Sequence, residues 1–207
     1  MILTLCGMSG VGKSYWSKKL ESAGFIRFGC DDLITTRIAF ELGFASSAQF
    51  DMHQWVGYPD EAAHKERADR YLQAEENVVK GIFDYLLNTQ KDQNIVIDST
   101  GSVIYMPESI LKRLRQLTKI VYLDITQQDH EKMLRYYLSH PVAIIWNGFF
   151  QPQPGESRLQ TFARCYPLLI KSREEKYREL AHLTIPAKIH KASETTLEDL
   201  LEFVSTH

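Results

Sequence analysis

Apolar and polar positions alternate along this chain in short blocks that read as strands and helices in turn. Ile2-Leu3-Thr4-Leu5-Cys6 is a nearly continuous apolar run of strand length, the pattern of a strand buried on both faces. Residues 13–22 read as a helix closed by Gly24, and Phe25-Ile26-Arg27-Phe28 as a short second strand. Leu33, Ile34, Ile38 and Leu42 share one side of a helix predicted over 32–42. A polar and aromatic segment follows, broken at Gly57-Tyr58-Pro59-Asp60. From about 60 to 88, Leu72, Val79, Phe83 and Leu86 recur on one helical face.

The second half continues the alternation. Ile95-Val96-Ile97 is a buried strand ending at Asp98, and a helix over 107–117 has Pro107 in its first turn. Ile120-Val121-Tyr122-Leu123 is a fourth strand, followed by a helix over about 127–138. Residues 139–156 break the pattern with Pro141, Gly148, Pro152, Pro154 and Gly155 around Trp146, Phe149 and Phe150. A loop of this length inside a compact domain is usually functional. A helix over 157–181, a strand at 183–185 that could reach 189, and a terminal helix over 195–205 complete the series. The expected fold is α/β, three layers, with a mostly parallel five-stranded sheet, helices on both faces and a lid loop.

The most specific chemistry stands between the first strand and the first helix. Gly7-Met8-Ser9-Gly10-Val11-Gly12-Lys13-Ser14 fills every fixed position of the phosphate-loop pattern G-x-x-x-x-G-K-[ST]. Its glycines let backbone N–H groups turn toward phosphate oxygens, and the helix start adds partial positive charge. Lys13 is expected to reach the phosphates, Ser14 to complete a Mg²⁺ shell, and Tyr15 to border the nucleotide. The competing reading is a glycine-rich β-turn, which the strand–loop–helix context disfavours. ATP and Mg²⁺ are the implied cofactors.

Ligands of such sheets bind beyond the carboxyl ends of the strands. The second strand leads into Asp31-Asp32 and the third into Asp98-Ser99-Thr100-Gly101, so these should converge near the γ-phosphate. One of Asp31 and Asp32 is expected to be the base for an accepting hydroxyl and the other a helix cap, with Asp31 placed first. Asp31 or Asp98 could also hold Mg²⁺, directly or through water; the plain alternative for Asp98 is a turn residue. The arginine that meets growing phosphoryl charge is sought around the 139–156 loop, at Arg135 or Arg173 before Arg158 or Arg164. The three loop aromatics either close over a ligand or anchor the loop.

Composition narrows the classes. The 207 residues suit one α/β domain spanning 1–207, with about 35–90 lining the acceptor and about 139–156 as lid. A net charge of −2 gives no reason to expect a nucleic-acid partner. No run of 18 apolar residues is present, the first strand leaves no room for a leader, and Cys6, Cys30 and Cys165 lack metal-ligand spacing. A soluble, cytoplasmic protein without a membrane or nucleic-acid partner is expected. Oligomeric state is not legible.

These features together resemble the shikimate kinase group of the nucleoside-monophosphate-kinase-like phosphate-loop kinases. Gly7 to Ser14 corresponds to its ATP loop, and Asp31-Asp32 falls where that group has an Asp-x-Asp pair for Mg²⁺-bound water and substrate hydroxyls. Asp98-Ser99-Thr100-Gly101-Ser102 falls at its triple-glycine substrate loop. Arg173 to Ala181 is similar to its late R-x-x-x-Y-x-x-x-A helix, which implies that Arg173 grips a substrate carboxylate. Departures are plain: Cys30 stands at the first acidic position, only Gly101 remains of three glycines, and His140 to Ile145 contain no arginine. For the middle substrate arginine, Arg67 and Arg70 are approximate counterparts. Phe28 to Ile34 is also similar to chloramphenicol phosphotransferase, which implies Asp31 as base.

The resemblance implies a kinase moving the γ-phosphate of Mg·ATP to a small-molecule hydroxyl, with Asp32, Arg70, Asp98, Gly101 and Arg173 as acceptor contacts. A nucleoside or nucleotide kinase of the same fold is the alternative, with Trp55, Tyr58, Arg67 and Arg70 available to it. A third class is an ATP-binding protein without an acceptor. The guanine-reading N-K-x-D is absent from the chain.

Overall fold

A computed structural model describes residues 1–88 and 92–207. The last residues of the expected acceptor-lining segment, 89–90, lie outside the described residues. Five strands, β1 (Ile2–Cys6), β2 (Ile26–Gly29), β3 (Ile95–Asp98), β4 (Lys119–Leu123) and β5 (Leu183–Ile185), form one sheet in the order β2-β3-β1-β4-β5. All pairs are parallel. The expectation of a mostly parallel sheet is met by a wholly parallel one.

Helices cover the sheet on both faces: α1 (Lys13–Ser22), α2 (Cys30–Glu41), α3 (Met52–Val56), α4 (His64–Asn88), α5 (Glu108–Leu117), α6 (Gln127–Ser139), α7 (Arg158–Leu180), α8 (Ala187–His190) and α9 (Leu197–Thr206). Covered strands lose their alternation, which is why Leu3, Leu5 and Cys6 of β1 are all fully buried. Thr4 is buried with them because its hydroxyl pairs with that of Thr118 at 2.8 Å.

Register positions the site. Asp98 stands level with Leu5 on one side and with Gly29 on the other. The chain therefore leaves β1, β2 and β3 at one height, delivering the phosphate loop, Asp31 and the 98–102 turn to a single edge.

Three boundaries differ from the sequence reading. Helix α2 starts at Cys30, not at 32, because extended Gly29 serves as its N-cap. Asp31 and Asp32 thus lie inside the first turn and neither side chain caps it; their charges instead suit the helix N-terminus. Helix α4 starts at His64, not at 60, and the aromatic segment before it holds α3, capped by Asp51 through the amides of His53 and Gln54. Pro186 ends β5 at Ile185, and 187–190 turn helical where the sequence allows the strand to reach 189.

The 139–156 loop is held by its aromatics. Trp146 is buried, stacked on Phe162 of α7 at 5.4 Å and flanked by Phe150 at 5.5 Å and Tyr137 at 6.0 Å. Trp146 and Phe150 are packing anchors. Among the described residues no helix is long and apolar enough to cross a membrane, and the three cysteines are buried and unpaired.

Candidate active site

The phosphate loop has the backbone its sequence demands. Gly7, Gly10 and Gly12 have φ of 141°, 76° and 115°, a region side chains rarely enter, and a Cβ on Gly7 would stand 2.9 Å from the Leu123 carbonyl oxygen. Met8 and Val11 drop into the core, which fixes the loop from below. Lys13 Nζ donates to the carbonyls of Gly7 and Met8 at 3.0 Å each, pinning a buried ammonium under the loop. Burial pulls its pKa down, opposed by the nearby charges of Asp31 and Asp98. Ser14 and Tyr15 are exposed on the first turn of α1, and the Tyr15 ring lies under the Lys19 ammonium at 4.7 Å.

A cavity of about 620 Å³ opens from this loop. Ser9, Gly10 and Lys13 line it together with Asp31, Gly101 and Arg173, so these sequence-predicted residues share one space. Asp31 accepts from the Tyr71 hydroxyl at 3.2 Å. Burial raises its pKa, while Lys13 and the Tyr71 hydrogen bond draw it back. Asp32, four-fifths exposed in its side chain, faces outward to Arg27 at 3.7 Å and does not line the cavity. The neighbouring aspartates are thus told apart by direction alone.

Asp98 is buried beneath the site. Its Oδ2 accepts from Arg27 Nη2 at 2.8 Å and from Ser17 Oγ at 3.0 Å. That oxygen is committed to protein donors, so the fit to a magnesium ion rests on the Ser14 hydroxyl and Asp31 together with nucleotide oxygens and water. Such sparse protein ligation is usual for Mg²⁺ at a phosphate loop, and no cluster of three metal-ligating side chains occurs among the described residues.

The arginines separate as clearly. Arg173 is buried in the cavity wall, donating from Nη2 to the Ile145 carbonyl of the 139–156 loop at 2.6 Å and from Nε to the Tyr105 hydroxyl at 3.2 Å. A Cβ on Gly101 would come within 3.3 Å of Arg173 Nη1, so this glycine leaves room for the guanidinium. Arg135 is not brought to the cavity: it is exposed on α6 and lies 3.8 Å from Glu131. Arg70 turns to Glu41 at 3.2 Å over the Trp55 ring, and Arg67 donates to the Trp55 carbonyl at 2.7 Å. Arg158 and Arg164 pair with Asp60 and Glu156.

Sequence reasoning missed several residues. Lys132, one turn before Arg135, lines the cavity and is paired with no carboxylate among the described residues. Glu75 of α4 is buried behind the 98–102 turn, accepting from Ser102 Oγ at 2.8 Å and from the Thr100 hydroxyl. Burial lifts its pKa to about 7 against the pull of these two donors, and nearby Asp31 adds to the rise. The signal was present: Glu75 stands four residues before Val79 on the stripe that buries Phe83 and Leu86, where a carboxylate needs a reason. Arg27 carried no signal, because only the sheet order brings it to Asp98.

Known proteins resemble this one in fold and not in sequence. No protein-family model matches the chain, and no curated protein matches it in sequence. Among solved structures, the shikimate kinase from Bacteroides thetaiotaomicron aligns with a TM-score of 0.61 at 14% identity over 99% of this chain and 98% of that one. The shikimate kinase from Acinetobacter baumannii, solved in complex with shikimate, aligns at 0.56 and 19% identity over 99% and 89%. That from Aquifex aeolicus aligns at 0.54 and 15% over 100% and 93%. The chain has the shikimate-kinase-like phosphate-loop kinase fold.

Proposed function

We propose that this protein, acting as one cytoplasmic domain, transfers the γ-phosphate of Mg·ATP to the hydroxyl of a small molecule. The observation that carries this reading is the meeting of Lys13, Asp31 and Arg173 in one cavity that starts at the phosphate loop. Backbone amides of 7–14 and the start of α1 would hold the β- and γ-phosphates, and Lys13 would follow the charge on them. Mg²⁺ would supply charge neutralisation on those oxygens when bound, with the Ser14 hydroxyl suited to hold it directly and Asp31 to reach it through a bound water.

Asp31 then serves as base. Its raised pKa improves the carboxylate as a proton acceptor. The acceptor oxygen bonds to the γ-phosphorus as the bond to the β,γ-bridging oxygen breaks. The hydroxyl proton passes to Asp31, and ADP leaves. Lys132 is the lid-side cation best placed to meet the transferring charge, in the role sought at Arg135. The lid, fastened through Trp146 and the Arg173–Ile145 bond, excludes water that would otherwise hydrolyse ATP.

Trp55, Tyr58, Arg67 and Arg70, which a nucleotide acceptor would call on, stand outside the cavity lining, as do Asp32, Arg70 and Asp98 among the expected small-molecule contacts; Gly101 and Arg173 of the latter set do line it, and they favour the small-molecule reading. The test is ADP release from Mg·ATP with and without candidate alcohols, using Lys13→Ala as the blank. Acceptor-dependent release that disappears in the variant is expected. Retention of most turnover by Lys13→Ala would overturn the assignment.

A further inference from the structure

We infer that Glu75 works as a neutral carboxylic acid, closing a circuit of three hydrogen bonds with Thr100 and Ser102 that holds the 98–102 turn against the cavity. Its consequence for catalysis rests on the kinase reading above; the circuit itself does not.

Three oxygen–oxygen contacts form a closed path. Glu75 Oε2 meets Ser102 Oγ at 2.8 Å, Ser102 Oγ meets Thr100 Oγ1 at 3.0 Å, and Thr100 Oγ1 meets Glu75 Oε1. Each contact needs one proton. An ionised Glu75 brings none, so the two hydroxyls have two protons for three contacts. Either both point at the carboxylate and the hydroxyl oxygens face each other lone pair to lone pair, or one carboxylate oxygen goes without a donor. Glu75 and Thr100 are each 1% exposed, so bulk water does not make up the shortfall. A protonated Glu75 does. The carboxyl donates to one hydroxyl, that hydroxyl donates to the other, and the second donates back to the remaining carboxyl oxygen. Thr100 Oγ1 keeps a lone pair for the Ser102 amide, which donates to it at 3.0 Å.

The surroundings agree with this proton count. Asp31 and Cys30 face Glu75 from α2, Tyr71 from its own helix, and Arg173 and Tyr177 from α7. Burial, with the charge of Asp31 adding to it, outweighs Arg173 and the two hydroxyl donors, and the pKa stands at about 7.

The turn matters because Gly101 and Ser102 line the cavity. On its other side the Tyr177 hydroxyl donates to the Gly101 carbonyl at 2.6 Å. Loss of the Glu75 proton opens the circuit and puts a second anion near Asp31. Glu75 does not line the cavity, so it is a positioning residue, and its proton keeps the acceptor wall in shape.

The experiment follows the Glu75 carboxyl carbon of the full chain by NMR as pH is raised, together with amide exchange at Ser102. The carboxyl is expected to titrate near 7. Corrected for base catalysis, Ser102 exchange should quicken by about tenfold as that proton leaves. Glu75→Gln, whose amide donates and accepts at once, should keep exchange slow at every pH, and Glu75→Leu, which cannot close the circuit, should leave it fast. A carboxyl that ionises near the ordinary 4.5, or Ser102 exchange that ignores the titration or quickens equally in Glu75→Gln, overturns the inference. ADP release from Mg·ATP with shikimate or glycerol is read beside these. Its kcat/KM for the alcohol should fall above pH 7 in the parent and not in Glu75→Gln, and a fall retained by the variant overturns the positioning role. The expected NMR results without release stimulated by any alcohol would support the circuit and count against the kinase reading alone.

Discussion

Arg27 Nη2 lies 2.8 Å from Asp98 Oδ2, joining the second strand to the third beneath the phosphate loop. Both side chains are largely buried, and Ser17 of α1 donates to the same carboxylate oxygen. The pair therefore ties β2, β3 and α1 into one platform. Removing one partner strands the other charge. Arg27→Ala is expected to cost about 3–5 kcal/mol in urea unfolding. Asp98→Asn, which keeps the shape and part of the hydrogen bonding, should cost less. Equal losses would contradict a charge-pair role.

The two adjacent aspartates should behave differently. Asp31→Asn is expected to lower acceptor-dependent ADP release by roughly 10²- to 10⁴-fold, the range for loss of a general base. Asp32→Asn, whose side chain faces solvent, should stay within about threefold of the parent, as befits an exposed change of about 0.5 kcal/mol. Steady-state kinetics on the pair of variants decides this, and a reversed order would move the base to Asp32.

The α6 cations offer a parallel contrast. Lys132→Ala should reduce kcat/KM for ATP by at least about tenfold, since a cation at developing phosphoryl charge contributes a few kcal/mol. Arg135→Ala leaves only an exposed neighbour, Glu131, and should change little. Similar effects of both substitutions would argue that neither meets the phosphates.

Glu75 makes stability depend on pH. Its pKa is about 7 in the fold against an ordinary value of 4.5, so the folded state binds this proton more tightly than the unfolded chain does. The favourable contribution is complete below about 4.5 and is lost as pH rises through 7. Asp31, Cys30, Tyr71, Tyr177 and Arg173 surround the group. Glu75→Gln should remove this component. Relative to the parent, its Tm should rise progressively between pH 4.5 and 8, by an amount equivalent to at most about 3 kcal/mol. A constant difference between the two curves would show that Glu75 does not titrate there.

Much of this molecule is legible in its sequence. The apolar run 2–6, the glycine spacing of 7–14 and the strand at 95–97 are local patterns, and local backbone chemistry decides them. The same holds for Lys13, which the loop places without help from distant residues. Trp146 could be named as important but not assigned, because anchoring and ligand closure demand the same residue type. What tertiary structure alone decided is direction. Asp31 faces the cavity and Asp32 the solvent although they are adjacent, since a helical step of about 100° separates them and the α2–α4 packing selects which one meets Tyr71. Lys132 enters the cavity and Arg135 leaves it for the same kind of reason. Arg27 and Asp98, 71 residues apart, meet only because β3 lies between β2 and β1. Spacing along a chain sets what kinds of side chain are available; the packing of one element on another sets which of them share a space.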